Sequence, residues 1–171
     1  GGICGYMVNG YGTIENCKNY GNVSAMTYAA GICGGSQSGK SITTYTYIVN
    51  KCENRGNIST TNGVGSAGIA ASFSGAVKNC TNYGSIDDTK GSAKSRQYTA
   101  GIVSCPSYAV DIDGCINNGV VNGVKNVAGI VANVMKGENT AVAIKNCTNN
   151  GVISGQDYVA GIAANSARTK D

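Results

Sequence analysis

One heptapeptide recurs five times along the chain and fixes what the chain can fold into. Cys17-Lys18-Asn19-Tyr20-Gly21-Asn22-Val23 returns beginning at Cys52, Cys80, Cys115 and Cys147, and Cys-x-Asn-x-Gly-x-[Val/Ile] holds at every occurrence. A Gly-Ile pair alternates with it, at Gly2, Gly31, Gly68, Gly101, Gly129 and Gly161, and from Gly31 onward each pair follows an Ala. The mean spacing of these pairs is about 32 residues. A fixed period of this size means that each unit buries its apolar face only against its neighbours.

A β-branched residue also stands three positions before each cysteine: Ile14, Val49, Val77, Ile112 and Ile144. Three short apolar pieces separated by Gly and Asn read as three strands per unit, in the order strand, corner, strand, Asn-Gly corner, strand. Cys17, Asn19, Gly21 and Val23 share a parity, which predicts one inward face. Ile14 is out of phase with Cys17, so a corner must intervene. Asn16, Asn79 and Asn146 suit it, because Asn tolerates a left-handed backbone. The glycine of Asn-x-Gly is expected to make a left-handed backbone cheap.

Stacking such units ~4.8 Å apart gives an all-β fold, a right-handed parallel β-helix (β-solenoid) of about five coils. The handedness follows from the preference of parallel crossover connections. Like residues then fall above one another. Cys17, Cys52, Cys80, Cys115 and Cys147 form one ladder, and Asn19, Asn54, Asn82, Asn117 and Asn149 form a second whose amides bond to each other and to the turn backbone. A propeller blade needs roughly 40 residues or more and aromatic motifs, whereas this chain has no Trp and one Phe. Leucine does not occur, which excludes a leucine-rich repeat.

Composition removes several chemistries. Without histidine there is no Ser-His-Asp or Cys-His nucleophile, no His-containing zinc site and no His-based pH switch. Thirteen Lys and Arg against nine Asp and Glu are scattered without a basic block, so no nucleic-acid partner is expected. No apolar run is long enough to span a membrane and the first residues lack the zones of a signal peptide, so no membrane insertion by this segment is expected and any targeting segment would lie outside it.

The eight cysteines read mainly as buried reduced thiols, with Cys4 and Cys33 as a second short stack. Disulfides between neighbouring rungs remain geometrically open. No Cys-x-x-Cys occurs, and neither a metal nor a cofactor is expected. Asp111 and Asp113 flank inward Ile112 and are placed facing solvent, while Asp87 and Asp88 fall in a loop. No second acidic pair recurs to complete a glycosidase or calcium-dependent lyase site, and the threonines do not recur at one position as an ice-binding face would require. Tyr28, Tyr98 and Tyr158 share the position three before the repeat glycine, and their parity points to a corner or core role. Binding usually lives on loops held by a rigid scaffold. The longest interruptions, 36–47 and 87–97, supply the candidate ligand contacts Tyr45, Tyr47, Lys90, Lys94 and Arg96.

The Ala-Gly-Ile … Ile-x-Asn-Cys-x-Asn-x-Gly-x-Val unit resembles the GLUG-motif-like tandem repeats of bacterial surface and secreted proteins, over nearly the whole chain. Many of those repeats carry Gly-Gly-Leu-Val-Gly where this chain has Ala-Gly-Ile. The resemblance implies an extracellular or cell-surface β-solenoid of the kind found in large exported, adhesin-like proteins of gut Firmicutes. The expected role is a non-catalytic rod that displays loops to a host glycan or surface protein. Neither terminus reads as a polar cap, so the segment is expected to be an excerpt of a longer protein or a module that self-associates end to end. A polysaccharide-acting β-helix enzyme and a self-assembling filament subunit are the alternatives. Acidic and basic side chains clustered on neighbouring rungs would mark the enzyme, and the sequence does not display such a cluster.

Overall fold

The computed structural model describes residues 1–8, 10–36, 47–90, 97–134 and 141–164. Every regular element among them is a β-strand, and every pairing between strands is parallel. The strands stack into a β-solenoid of about four turns, roughly 33 residues apart, which link five rungs.

Each coil contributes to four sheets. The first joins Gly12–Glu15, Tyr47–Asn50, Ala70–Lys78, Val103–Asp113 and Val142–Lys145. The second joins the two-residue strands Lys18–Asn19, Glu53–Asn54, Thr81–Asn82, Ile116–Asn117 and Thr148–Asn149. The third joins Val23–Ala25, Ile58–Thr60, Ile86–Asp87, Val121–Asn122 and Ile153–Ser154. The fourth joins Tyr28–Ala30, Gly65–Ala67, Tyr98–Ala100, Lys125–Ala128 and Asp157–Ala160. The fourth sheet corrects the expected three strands per unit. Its strands are mostly small or β-branched and run straight into the Gly-Ile pair, so the sequence shows no turn signal on that side. Beyond each Gly-Ile pair a further line of pairing runs from Cys4 through Cys33, Ala70, Val103 and Val131 to Ala163.

The corner before each cysteine is left-handed in all five rungs, at Asn16, Lys51, Asn79, Gly114 and Asn146, with φ of 55°, 51°, 51°, 63° and 51°. It turns the chain so that both Ile14 and the following ladder face inward. The interior is apolar on two sides. Val49, Val77 and Ile112 pack with Ile32, Ile69, Ile102 and Ile130 around Phe73, and Ile58, Ile86 and Val121 pack against Ala29 and Val127.

Between those regions lies the asparagine ladder. Each Nδ2 donates to the Oδ1 of the next rung, 2.8 Å at every step from Asn19 to Asn149. Each also donates to the carbonyl of the glycine two residues on, at 2.7–3.0 Å. Buried amides are thus satisfied without water.

The repeat glycines are there for a different reason from the one expected. None of Gly21, Gly56, Gly84, Gly119 and Gly151 has a positive φ. A Cβ on Gly56, Gly84, Gly119 or Gly151 would instead stand 1.9–2.1 Å from the carbonyl oxygen of the glycine one rung before it. The Gly-Ile glycines are equally confined. A Cβ on Gly31, Gly68, Gly101 or Gly129 would stand 2.2–2.3 Å from the Cγ of Asn54, Asn82, Asn117 or Asn149. The two motifs that alternate in sequence therefore meet across the interior, glycine against asparagine.

All eight cysteines are reduced; Cys33, Cys52, Cys80 and Cys115 are buried and the other four half-buried. Burial pushes the Cys33 thiol up to about 12, and contact with the neighbouring thiols of Cys115 and Cys52, with burial, raises Cys80 as well. Thiolate is the reactive form. Because the stack buries Cys33, Cys52, Cys80 and Cys115, a disulfide-exchange reagent is expected to modify at most the four half-buried thiols of the native protein and all eight after denaturation; rapid native reaction of any of those four would contradict this placement.

Candidate functional site

Position x in Asn-x-Gly sits on the corner between the second and third sheets, where alternation turns it away from the inward asparagine. Successive rungs place Tyr20, Arg55, Tyr83, Asn118 and Asn150 there, and all five are exposed. The stack is held by backbone bonds: the amides of Arg55, Tyr83, Asn118 and Asn150 donate to the carbonyl of the preceding rung's ladder asparagine at 2.7–2.8 Å. Side chains extend the order outward. The Arg55 guanidinium lies 4.6 Å from the centre of the Tyr83 ring, a cation–π distance. Its Nε donates to Glu53, whose carboxylate also lies 3.7 Å from Lys18 Nζ. Arg55 beside it holds the Glu53 carboxyl below its ordinary range. Asn150 Nδ2 donates to Asn118 Oδ1 at 2.9 Å. Two phenols, a guanidinium and two primary amides are thus arrayed one per rung along an exposed edge.

The sequence reading did not single these residues out. The signal was present, because x is the variable position between the two fixed ones, and its parity is outward.

A second outward group lies on the first sheet. Ile112 is buried, as expected, with Asp111 and Asp113 on either side of it. Asp111 is not a solvated acid, however: its carboxylate lies 3.5 Å from Lys78 Nζ and 3.9 Å from Lys145 Nζ, on the rungs before and after. Asp113 accepts a bond from Asn146 Nδ2 at 2.8 Å. Acidic and basic side chains therefore do cluster on neighbouring rungs, contrary to the sequence reading. Parallel register aligns Lys78, Asp113 and Lys145 although they are far apart in sequence.

Tyr47 is buried rather than offered to a ligand, and its hydroxyl accepts a bond from the Gly10 amide at 2.7 Å. It begins a strand in which it shares the inward face with Val49. Lys90 is exposed in a turn. Tyr45, Lys94 and Arg96 lie outside the described residues. Among the tyrosines expected in a corner or core, Tyr98 is buried, whereas Tyr28 and Tyr158, on the first and last described rungs, are exposed.

Asp88, read from the sequence as a loop residue, is buried. It lies two residues after inward Ile86 and so shares its face. The backbone amide of Thr60 donates to its carboxylate at 3.1 Å, and the hydroxyls of Thr60 and Thr99 also bond it. Burial outweighs these bonds and raises its pKa. A raised folded-state pKa means that Asp88 contributes stability below the ordinary carboxylate range, lost as pH rises through the folded value. Asp88→Asn is expected to remove that dependence and raise the melting temperature at neutral pH relative to the parent. Parallel melting curves of parent and variant across pH would contradict it.

Among the described residues no group of three or more His, Cys, Asp or Glu side chains could hold a metal ion, and no helix is long and apolar enough to cross a membrane. The chain matches no protein-family profile, no curated protein and no solved structure.

Proposed function

We propose that the chain is a non-catalytic display module of a bacterial cell-surface or secreted protein. In this reading it is a stiff rod whose outer edge and loops meet a host glycan or surface protein. The observation that supports it is the division of labour within one motif. Cys, Asn and Gly repeat without change on the inside, while the x position between Asn and Gly carries Tyr, Arg, Tyr, Asn and Asn on the outside. A scaffold that fixes its interior and varies its exposed edge is suited to recognition. The resemblance to GLUG-like repeats supports the exported setting.

The test is a glycan and host-protein array probed with the purified chain, a Tyr20→Ala/Arg55→Ala/Tyr83→Ala variant and a variant lacking residues 90–96. Saturable binding lost in either variant locates the ligand on that edge or loop. No binding by the folded parent would overturn the display reading.

The Lys78–Asp111–Lys145 group favours one alternative, a polysaccharide-acting enzyme, since a carboxylate set between two ammonium groups on neighbouring rungs is the kind of acidic and basic cluster such a site would need. Release of reducing ends or unsaturated products from acidic polysaccharides, abolished by Asp111→Asn, would decide for it.

A further inference from the structure

We infer that the edge formed by Tyr20, Arg55 and Tyr83 takes a carboxylate-bearing sugar, with the carboxylate on the Arg55 guanidinium and a pyranose face on a tyrosine ring. The inference rests on the display reading, whose ligand it narrows to one chemical class.

Three consecutive rungs set these side chains at one register position, ~4.8 Å apart along the axis. The guanidinium is held from two directions. It lies 4.6 Å from the centre of the Tyr83 ring, and its Nε donates to Glu53. A planar group fixed in this way loses little freedom when it binds a further partner. The bond to Glu53 uses Nε, so the two Nη groups form the edge open to a ligand, on a side chain that is half exposed. Coplanar N–H donors match the two oxygens of a carboxylate.

Charge decides the size of the anion. Lys18 and Arg55 are both paired to the single carboxylate of Glu53, which leaves one net positive charge on this group. Asp87, an exposed acid of the third sheet, is engaged by the amide and hydroxyl of Thr89 at 3.1 and 2.7 Å. One net charge suits one carboxylate, whereas a polyanion such as nucleic acid is held by many cations at once.

The neighbouring column supplies partners for hydroxyls. Asn22, Asn57 and Ser85 stand two residues after Tyr20, Arg55 and Tyr83, share their outward parity and are exposed. The backbone amide of Asn57 donates to Asn22 Oδ1 at 2.9 Å, and that of Ser85 donates to Asn57 Oδ1 at 3.2 Å. Each carboxamide is thus anchored through its oxygen and presents Nδ2 as a donor. A carboxylated sugar uses all of these at once: a C–H face on a ring, hydroxyls on the amides and a charge on the guanidinium. An anion without a sugar ring would use Arg55 and leave Tyr20 and the amides idle. Rung spacing is also close to the length of one pyranose, so adjoining sugars of an extended chain fall on adjoining rungs.

The experiment is equilibrium binding of the 171-residue chain to matched glycan pairs. Sialylated oligosaccharides are set against their desialylated forms, and oligouronates against their carboxyl-reduced forms, with sulfated neutral oligosaccharides as a third arm. Saturable binding to the carboxylated member of either pair, lost in its partner, is expected, and the arm that binds tells a sialic acid from a uronic acid. Arg55→Lys keeps the charge without the planar fork and is expected to weaken binding about tenfold or more. Tyr20→Ala should weaken it as well. Lys51→Asn removes a positive charge from the same rung, at a corner where three other rungs carry Asn, and is expected to leave binding unchanged. Equal binding to both members of each pair, or binding confined to sulfated sugars or to proteins, overturns the inference and leaves the display reading in place. So does full affinity in Arg55→Lys or Tyr20→Ala, or a loss in Lys51→Asn as large as that in Arg55→Lys. A folded parent that binds nothing in these arms or on the array overturns both.

Discussion

Gly84→Ala is expected to cost roughly 3 kcal/mol or more and to disorder the middle of the stack. The added Cβ would stand 2.0 Å from the Gly56 carbonyl oxygen and 2.8 Å from Asn54 Nδ2. The first obstacle is backbone, which no rotamer change can move. The only relief is to spread the second and third rungs, and spreading them lengthens the 2.8 Å bond from Asn54 to Asn82. Steric and hydrogen-bond losses are therefore coupled. Gly5→Ala is the control, since nothing lies within 4 Å of its Cβ position and its φ is not positive; it is expected to change stability by less than ~0.5 kcal/mol. Denaturant midpoints and amide exchange at the central rungs would measure both. Equal midpoints for Gly84→Ala and the parent would show that the rungs are not packed as described.

Asn82→Ala comes next. Asn82 is fully buried, donates to Gly84 O at 2.9 Å and Asn117 Oδ1 at 2.8 Å, and accepts from Asn54 Nδ2 at 2.8 Å. Truncation leaves three buried polar groups without their partner, each costing about 1–3 kcal/mol, so a loss of roughly 3–9 kcal/mol is expected. Asn149 is only half-buried, and among the described residues its Nδ2 donates to the Gly151 carbonyl and to no further ladder asparagine. Asn149→Ala should cost about 1 kcal/mol. A gradient from the centre to the end of the ladder distinguishes a cooperative buried network from five independent caps, and equal losses at Asn82 and Asn149 would refute it. Unfolding need not be two-state in a stacked array, so the comparison is best made rung by rung with hydrogen exchange.

Much of this was legible in the chain. The recurring Cys-x-Asn-x-Gly-x-[Val/Ile] dictated parallel stacking because identical units bury identical faces only when placed in register. Period-two parity placed Cys, Asn and Val inside, and Asn16, Asn79 and Asn146 marked a left-handed corner that all five rungs adopt. Parity also held the information for Asp88, inward two residues after Ile86, and for Tyr47, inward with Val49. Both were misread because each borders a long interruption of the repeat, and position beside a loop was weighed above alternation.

What the sequence could not state is anything that depends on which residues share an axial row. Repeat lengths differ, so the separation in sequence between rung neighbours varies from 28 to 35 residues along the asparagine ladder. Only the folded register brings Lys78 and Lys145 to Asp111, or Arg55 over Tyr83. The role of the repeat glycines belongs to the same class. Their presence was written in the motif, but the clash that requires them is with a carbonyl or an asparagine amide of another part of the coil, a distance that exists only once the stack has formed. Local sequence determined the corners and the inward face, because backbone preference and alternation act between neighbours along the chain. Tertiary structure decided the outer rows and the direction of the asparagine ladder, because those are set by contacts between neighbours along the axis.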